Sequence, residues 1–318
     1  MKILFDTDIG SDIDDALALL LLLGITRVEL VGVTTVYGCT DIRAKVAKKI
    51  LDAAGCSAPV VAGLGVPFES TMPVWHAGTE GKGVLSADDM NAPLSAMGIS
   101  EGADAFIAEA VRRYGDRLTI LCLGALTNVA AAMRLDPGIR DLMGPLFFMG
   151  GGVTFRQPVP ETLVPGVCYR ADASHNVRCD VRAAREVFEA GVPITVLTND
   201  VTTRVWWDGA PVQRLMHAAA RPEAELVGRL LDVWLTYRSG IFGRVVTGTC
   251  PHDPLTVAEA VKAGFVTYVQ GRMEVNPDAT TLFTADEHGP HLAGVGVDAQ
   301  SFLDWFSNRM STAESNLI

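Results

Sequence analysis

Short apolar segments alternate with amphipathic segments along most of this chain. Mostly apolar runs at 28–35, 118–123 and 145–149 are typical of buried strands. The segments between them, such as 103–114, carry apolar residues at helical spacing. Short buried strands that alternate with helices favour a parallel sheet covered on both faces. The pattern therefore predicts an α/β fold with an open, mostly parallel, twisted sheet and helices on both faces.

The predicted elements follow one another without a repeat or a linker. Strands are predicted at 1–5, 28–35, 59–62, 118–123, 145–149 and 193–197. Helices are predicted at 16–20, 42–54, 103–114, 126–134, 181–190, 255–261 and 299–308. Residues 265–297 are expected to form strands near a sheet edge. Because no composition shift marks a domain boundary, we expect a single domain over residues 1–318.

Two long stretches interrupt the alternation. Residues 66–100 are rich in Gly, Pro and Met, and residues 152–172 contain several prolines. Loops of this length inside a compact domain usually bind a ligand or cover a site. We interpret 66–100, together with the aromatic stretch 220–250, as loops and helices of an active site.

Composition and charge limit the functions that the chain can have. Hydrophobic residues make up 49% of the chain and charged residues 20%, as in a globular protein with a sizeable core. The formal net charge of −11 argues against a nucleic-acid partner. The leucine-rich run 16–23 is too short to cross a membrane. Six scattered cysteines without a secretory signal indicate reduced thiols and a cytoplasmic protein.

An acidic segment follows the first predicted strand. Residues 6–15 contain five aspartates and lead directly into a helix-like run. Carboxylates this close together repel one another unless a cation or hydrogen-bond donors hold them. Because hard oxygen ligands suit Ca²⁺ or Mg²⁺, the segment predicts a metal site. An EF-hand is a poor match since no helix precedes the segment, and capping of the following helix is the alternative role for Asp12 or Asp14.

Polar and glycine-rich residues follow most of the predicted strands. They lie at 6–8, 34–38, 124–128, 150–152 and 199–200. Ligands of open α/β sheets bind at the carboxyl ends of the strands. We therefore expect these segments to form the rim of one active site.

Further candidates lie outside the acidic segment. His252 and Asp253 combine a proton donor with a metal ligand, although an Asp before Pro also caps helices. His76, in a glycine-rich loop, suits either a lid or a solvated position. Asn176 is a candidate to bind sugar hydroxyls, and its alternative role is in a turn or a helix cap. The candidates for a stacking surface are Trp206, Trp207, Trp234, Tyr237 and Phe242.

Together these motifs resemble the nucleoside hydrolase family of the inosine–uridine-preferring type. The matching segments are 6–16, 32–38, 123–128, 175–180 and 252–254, so the resemblance covers nearly the whole chain. It implies an open α/β sheet with Ca²⁺ at its carboxyl edge. The expected activity is hydrolysis of the N-glycosidic bond of a ribonucleoside or modified nucleoside to free base and ribose. The expected assembly is a homodimer or homotetramer, with a small-molecule nucleoside as the only ligand besides the metal.

The resemblance also implies residue roles. Ca²⁺ would be bound by the side chains of Asp8, Asp15 and Asp253 and by the backbone carbonyl of Leu123, with Asp12 as a further candidate ligand. Asp8 would also act as general base on the attacking water, and His252 would protonate the departing base. The implied substrate-binding residues are Asp14, His76, Ser174, His175 and Asn176.

The chain departs from the family pattern near the sugar. Ser174 stands where the family often has a Glu that holds the 5′-hydroxyl, and Cys39 stands where an Asn or Asp is usual. The acidic segment is also two residues longer than the simplest family motif, so that Asp12 can share a role with Asp14. We therefore expect either that the 5′ end of the substrate is not an ordinary hydroxyl or that turnover of common ribonucleosides is low.

Two other functions stay open at this stage. A haloacid-dehalogenase-like phosphatase also begins with a strand followed by Asp-x-Asp, and it would use Asp6 as nucleophile with Mg²⁺. A non-catalytic nucleoside-binding protein would keep the metal and lack turnover. Release of free base from nucleosides separates both from a hydrolase.

Overall fold

A single large sheet forms the frame of the protein. The computed structural model describes residues 1–154, 167–208, 221–262 and 264–311. Its strands are β1 (Lys2–Thr7), β2 (Glu29–Thr35), β3 (Val60–Ala62), β4 (Ser100–Glu101), β5 (Leu118–Cys122), β6 (Leu146–Met149), β7 (Cys168–Ala171), β8 (Ile194–Leu197), β9 (Trp207–Asp208), β10 (Gly248–Thr249), β11 (Val266–Val275), β12 (Thr281–Ala285) and β13 (His291–Val297). Eleven of these join one sheet in the order β4-β3-β2-β1-β5-β6-β8-β13-β11-β12-β7. In this order, neighbouring strands pair in parallel from β4 as far as β13. The remaining pairs, from β13 to β7, are antiparallel.

Helices connect the strands. They are α1 (Asp14–Leu23), α2 (Thr40–Ala53), α3 (Ala87–Asn91), α4 (Ala103–Tyr114), α5 (Thr127–Leu135), α6 (His175–Cys179), α7 (Val181–Glu189), α8 (Asn199–Thr202), α9 (Pro222–Phe242), α10 (His252–Val261) and α11 (Ala299–Ser311). Short 3₁₀ helices lie at Leu94–Met97, Gly115–Arg117 and Pro137–Leu142. In the described part of the chain, no helix combines the length and apolar character needed to cross a bilayer.

Successive residues of the central strands pack on opposite faces of the sheet. In β1, Ile3 and Phe5 join the core cluster formed with α1, α2, α9, α10 and α11, whereas Leu4 joins the cluster formed with α4, α5 and α7. This alternation follows from the pleat of a strand. Both faces are therefore covered, as the apolar runs in the sequence predict.

Helix α1 lies deepest in the fold. All its residues except Leu23 are buried, which explains why its sequence is leucine-rich on every side. Its first turn carries Asp14 and Asp15, so the core helix also delivers two carboxylates to the carboxyl edge of the sheet.

The predicted fold class is confirmed, with corrections to individual elements. The helix predicted at 103–114 coincides with α4, and the other predicted core elements differ from the structure by a few residues at their ends. Asp6 lies inside β1 and does not follow it, because the strand continues to Thr7. Strand β13 lies inside the sheet between β8 and β11, away from the edge.

The stretches interpreted as loops are partly ordered elements. Residues 66–100 contain α3, a 3₁₀ helix and the first residue of the edge strand β4. The stretch 152–172 contains β7, which pairs with β12 and forms the opposite edge. Residues 155–166 lie outside the described residues.

Burial predicts which leucines stabilise the fold. Leu19 in α1 is fully buried, so Leu19→Ala is expected to lower the free energy of unfolding by about 2–5 kcal/mol. Leu135, at the end of α5, is 57% exposed. Leu135→Ala is therefore expected to change the free energy of unfolding by less than about 0.5 kcal/mol. Urea unfolding of both variants measures the difference, and equal losses would contradict the assigned core.

Candidate active site

A cavity of about 490 Å³ lies at the carboxyl edge of the parallel strands. Its wall includes Asp8 after β1, Leu123 after β5, Met149 at the end of β6 and Asn199 after β8. Strands β1, β5, β6 and β8 are consecutive neighbours in the sheet. The cavity therefore occupies the place where open α/β sheets bind ligands.

Most residues that the sequence indicates as site residues line this cavity. They are Asp8, Asp12, Asp14, Asp15, Leu123, Ser174, His175, Asn176, His252 and Asp253. His76 is exposed and does not line the cavity; its Nδ1 lies 3.1 Å from Sγ of Cys39. The neighbouring Trp75 lines the wall in its place.

Three carboxylates converge at the bottom of the cavity. One oxygen of each of Asp14, Asp15 and Asp253 lies within 4.8 Å of the others, and all three residues are buried. Burial and the neighbouring aspartates raise the pKa of each of these carboxyls well above its usual range. Oδ1 of Asp253 is buried without a hydrogen-bond partner in the described residues. A compact set of buried oxygens with an unpartnered atom fits a divalent cation.

The acidic loop has its own hydrogen bonds. The Thr7 hydroxyl donates to Oδ1 of Asp15 and accepts from N–H of Ile9 at 3.1 Å. Oδ1 of Asp12 accepts from N–H of Ile13 at 2.6 Å, and burial raises the pKa of Asp12 to about 6. Asp8 lies at the half-buried rim of the same loop. The loop thus holds two carboxylates by short local contacts and leaves Asp8 facing the cavity.

Asp6 has a different role from the other aspartates. It is fully buried, does not line the cavity, and its Oδ1 accepts from the Thr34 hydroxyl at 2.5 Å and from Nδ2 of Asn128 at 2.8 Å. Burial raises its pKa to about 7. Asn128 also accepts from N–H of Leu64 at 2.9 Å. Asp6 therefore anchors strand ends to one another, and its burial argues against the nucleophile of a phosphatase.

Another part of the cavity wall is held by hydrogen bonds between side chains and the main chain. Nδ2 of Asn176 donates to the carbonyls of Leu123 at 2.6 Å and Met149 at 3.0 Å. The carbonyl of Leu123 keeps a second lone pair, as the implied metal contact requires. The hydroxyl of Ser174 accepts from N–H of Gly151 at 2.7 Å.

Helix α9 forms an aromatic wall next to His252. The rings of Trp234 and Tyr237 stack at 5.7 Å, and the guanidinium of Arg238 lies 5.2 Å from the centre of the Trp234 ring. Nδ1 of His252 lies 2.7 Å from the Thr202 hydroxyl, and burial lowers the pKa of His252 to about 4. This wall offers flat apolar surface beside a neutral imidazole.

The other candidate aromatics do not line the cavity. Trp207 is buried in the core against Phe306 at 5.4 Å, and Trp206 and Phe242 are exposed. Helical spacing places Tyr237 and Arg238 on the same face as Trp234, but Phe242 follows Arg238 by four residues and shares that spacing. Spacing alone therefore does not separate the aromatic residues that line the cavity from those that do not.

Comparisons with known proteins point to one family. The model of the inosine-uridine preferring nucleoside hydrolase family matches residues 3–304. Probable uridine nucleosidase 2 of Arabidopsis thaliana is 27% identical over 284 residues, which cover 88% of this chain and 83% of that protein. The pyrimidine-specific ribonucleoside hydrolase RihA of Salmonella typhimurium is 25% identical over 327 residues and 98% of each chain.

A solved structure extends the likeness to three dimensions. The purine-preferring ribonucleoside hydrolase from Gardnerella vaginalis matches with a TM-score of 0.79 and 25% identity, over 98% of each chain. The chain therefore belongs to the inosine-uridine preferring nucleoside hydrolase family. Its enzyme class is that of hydrolases acting on N-glycosyl compounds.

The carboxylate cluster predicts calcium-dependent stability. A cation that binds only the folded protein raises the free energy of unfolding by about 2.7 kcal/mol at 100 times its Kd. We expect Ca²⁺ to raise the Tm of the chelator-treated protein and Asp253→Asn to remove most of that increase. Differential scanning calorimetry with and without Ca²⁺ measures both.

The matched control for this test is Asp52→Asn. Asp52 pairs with Lys48 on the surface of α2, so its variant is expected to keep the full increase in Tm. If Asp253→Asn kept the increase in Tm caused by Ca²⁺, the assignment of the carboxylate cluster as the calcium site would be wrong.

Proposed function

We propose that the protein hydrolyses the N-glycosidic bond of ribonucleosides with the aid of one bound Ca²⁺. The observation that carries this proposal is the convergence of Asp14 and Asp15 with the distant Asp253 in a cavity that also contains Asp8. Membership of the nucleoside hydrolase family supports the same reaction. The products are free base and ribose.

The carboxylate cluster would hold the cation. Asp15 and Asp253 supply buried side-chain oxygens, and the Leu123 carbonyl and Asp8 lie in the same cavity wall. When bound, Ca²⁺ supplies a positive charge that orients a water molecule and lowers its pKa. Asp14 joins the cluster in this structure, so we propose that it acts at the metal as well as at the sugar hydroxyls.

Asp8 is the proposed general base. It belongs to the same loop as the cluster, lines the cavity and is less buried than Asp14 or Asp15. A carboxylate in this position can take a proton from water as the water attacks the sugar. The sugar develops positive charge as the bond to the base breaks, and the surrounding carboxylates stabilise that charge.

Asn176 and the aromatic wall would place the two halves of the substrate. Because Nδ2 of Asn176 donates to two main-chain carbonyls, its amide oxygen is free to accept from a sugar hydroxyl. Trp234 and Tyr237 offer a stacking surface for the base on the other side of the cavity.

His252 would assist the departing base. Since burial lowers its pKa to about 4, the imidazole is neutral near pH 7. When its Nδ1 accepts from the Thr202 hydroxyl, its Nε2 carries hydrogen and can donate to the base. We propose that it stabilises the leaving group by a hydrogen bond instead of a full proton transfer.

Asp8→Asn tests the proposed base. The substitution keeps the shape of the side chain and removes the proton acceptor, so kcat is expected to fall by about 10²–10⁴-fold. A reducing-sugar assay over a nucleoside panel, with Ca²⁺ and with chelator, measures the loss.

Asp52→Asn serves again as the control and is expected to retain full activity. If Asp8→Asn kept most of its rate, another group would be the base. If the wild type bound nucleosides without releasing base, the protein would be a binding protein and the proposed function would fail.

The residues expected near the sugar predict that the enzyme tolerates loss of the substrate's 5′-hydroxyl. No Glu occupies position 174, and the Ser174 hydroxyl already accepts from the main chain. A neutral hydrogen bond contributes about 0.5–1.5 kcal/mol, whereas one to a charged group contributes about 1.5–3 kcal/mol. We expect kcat/KM for uridine and 5′-deoxyuridine to differ by less than about tenfold. A loss near a hundredfold would show a strong contact with the 5′-hydroxyl.

A further inference from the structure

Arg43 is a buried cation placed behind the acidic loop. It lies on α2 with 1% of its surface exposed. Its Nη1 donates to the carbonyl of Asp8 and, at 3.0 Å, to that of Ile9. Its Nε donates to the carbonyl of Tyr37 at 2.7 Å. One side chain therefore joins the loop of the proposed base to the segment that follows β2.

The surroundings of Arg43 are unusual for a buried guanidinium. In the described residues it forms no ion pair with a carboxylate, and its Nη2 is buried without a hydrogen-bond partner. A buried charge is costly unless it is paired or fully hydrogen-bonded. Three carbonyl contacts offset part of this cost, and the charge of Arg43 opposes the rise in the pKa of Asp15 that burial causes.

Tyr37 connects Arg43 to two residues that line the cavity. Its φ of 65° lies in the left-handed region that non-glycine residues rarely adopt. Its hydroxyl accepts a hydrogen bond from N–H of Trp75 at 2.9 Å. The centre of its ring lies 6.3 Å from that of His175, with the two rings in an edge-to-face arrangement. Trp75 and His175 both line the cavity. The bond from Arg43 to the Tyr37 carbonyl therefore holds a strained residue that supports two wall residues.

We propose that Arg43 is a positioning residue for hydrolysis, which fixes the main chain at Asp8 and at Tyr37 at the same time. The inference rests on the proposed function, since it assigns Arg43 its effect through Asp8. Arg43 touches no substrate, because it is buried behind the loop and does not line the cavity.

The test compares Arg43→Met and Arg43→Lys with a matched control. A displacement of about 1 Å at a catalytic group can cost about 10²-fold in rate. Arg43→Met is therefore expected to lower kcat by about that factor with little change in KM, and Arg43→Lys to recover part of the loss. The control is Arg185→Met, because Arg185 also donates to a main-chain carbonyl, that of Val275, and has a buried unpartnered Nη2. It is expected to leave kcat unchanged.

A second measurement does not depend on activity. Hydrogen exchange of the amides in residues 8–13 and 37–39 is expected to be faster in Arg43→Met than in the wild type and unchanged in Arg185→Met. This readout separates the two proposals: a wild type without hydrolase activity overturns the proposed function, and unchanged exchange overturns the positioning role.

Three results of the activity measurements would also overturn the inference. The first is a folded Arg43→Met with the kcat of the wild type. The second is an equal loss in Arg185→Met. The third is a loss of kcat that disappears when activity is expressed per folded molecule, since that would show a role in stability alone.

Discussion

Repulsion among the carboxylates that line the cavity is the constraint on which the rest of the structure depends. Asp14 and Asp15 enter the cavity from the first turn of α1, and Asp253 enters from the first turn of α10. The partial positive charge of a helix N-terminus favours a carboxylate there. The Thr7 hydroxyl supplies a further contact to Asp15. These contacts offset only part of the repulsion, because burial and the neighbouring aspartates still raise the pKa of Asp253 well above its usual range.

The sequence predicted the fold class for a physical reason, whereas most of the cavity residues were predicted from the resemblance to a family. Apolar strands and helices with strong periodicity report burial directly, so β1, β5 and α4 could be located from sequence. The rule that ligands bind at the carboxyl ends of parallel strands placed Asp8, Gly150 and Asn199 at one site, although the segments 34–38 and 124–128 do not line the cavity. The resemblance to nucleoside hydrolases added Asn176 and Asp253. Edge strand β7 was missed, because an exposed strand of four residues after several prolines carries no continuous apolar run.

Residues that support the site from behind could not be predicted. Basic side chains are seldom fully buried, yet Arg43 and Lys45 on α2 are only 1% and 3% exposed. Asp6 resembles its acidic neighbours in sequence, but it lies inside β1 and contacts Thr34 and Asn128. Such contacts join elements that are distant in the chain, and a single sequence carries no signal for them.

The aromatic wall and the carboxylates belong to different parts of the fold. Trp234, Tyr237 and Arg238 stand on α9, whereas the carboxylates stand on the loop after β1 and on the first turns of α1 and α10. In the proposed function, exchange of side chains on the cavity face of α9 would alter the fit of a nucleobase, while the carboxylates that act on the sugar stand on other elements. Base selectivity would then change along this helix while the carboxylates are kept. Relatives that match this chain are named for uridine, pyrimidine and purine nucleosides, and the purine-preferring one shares its fold.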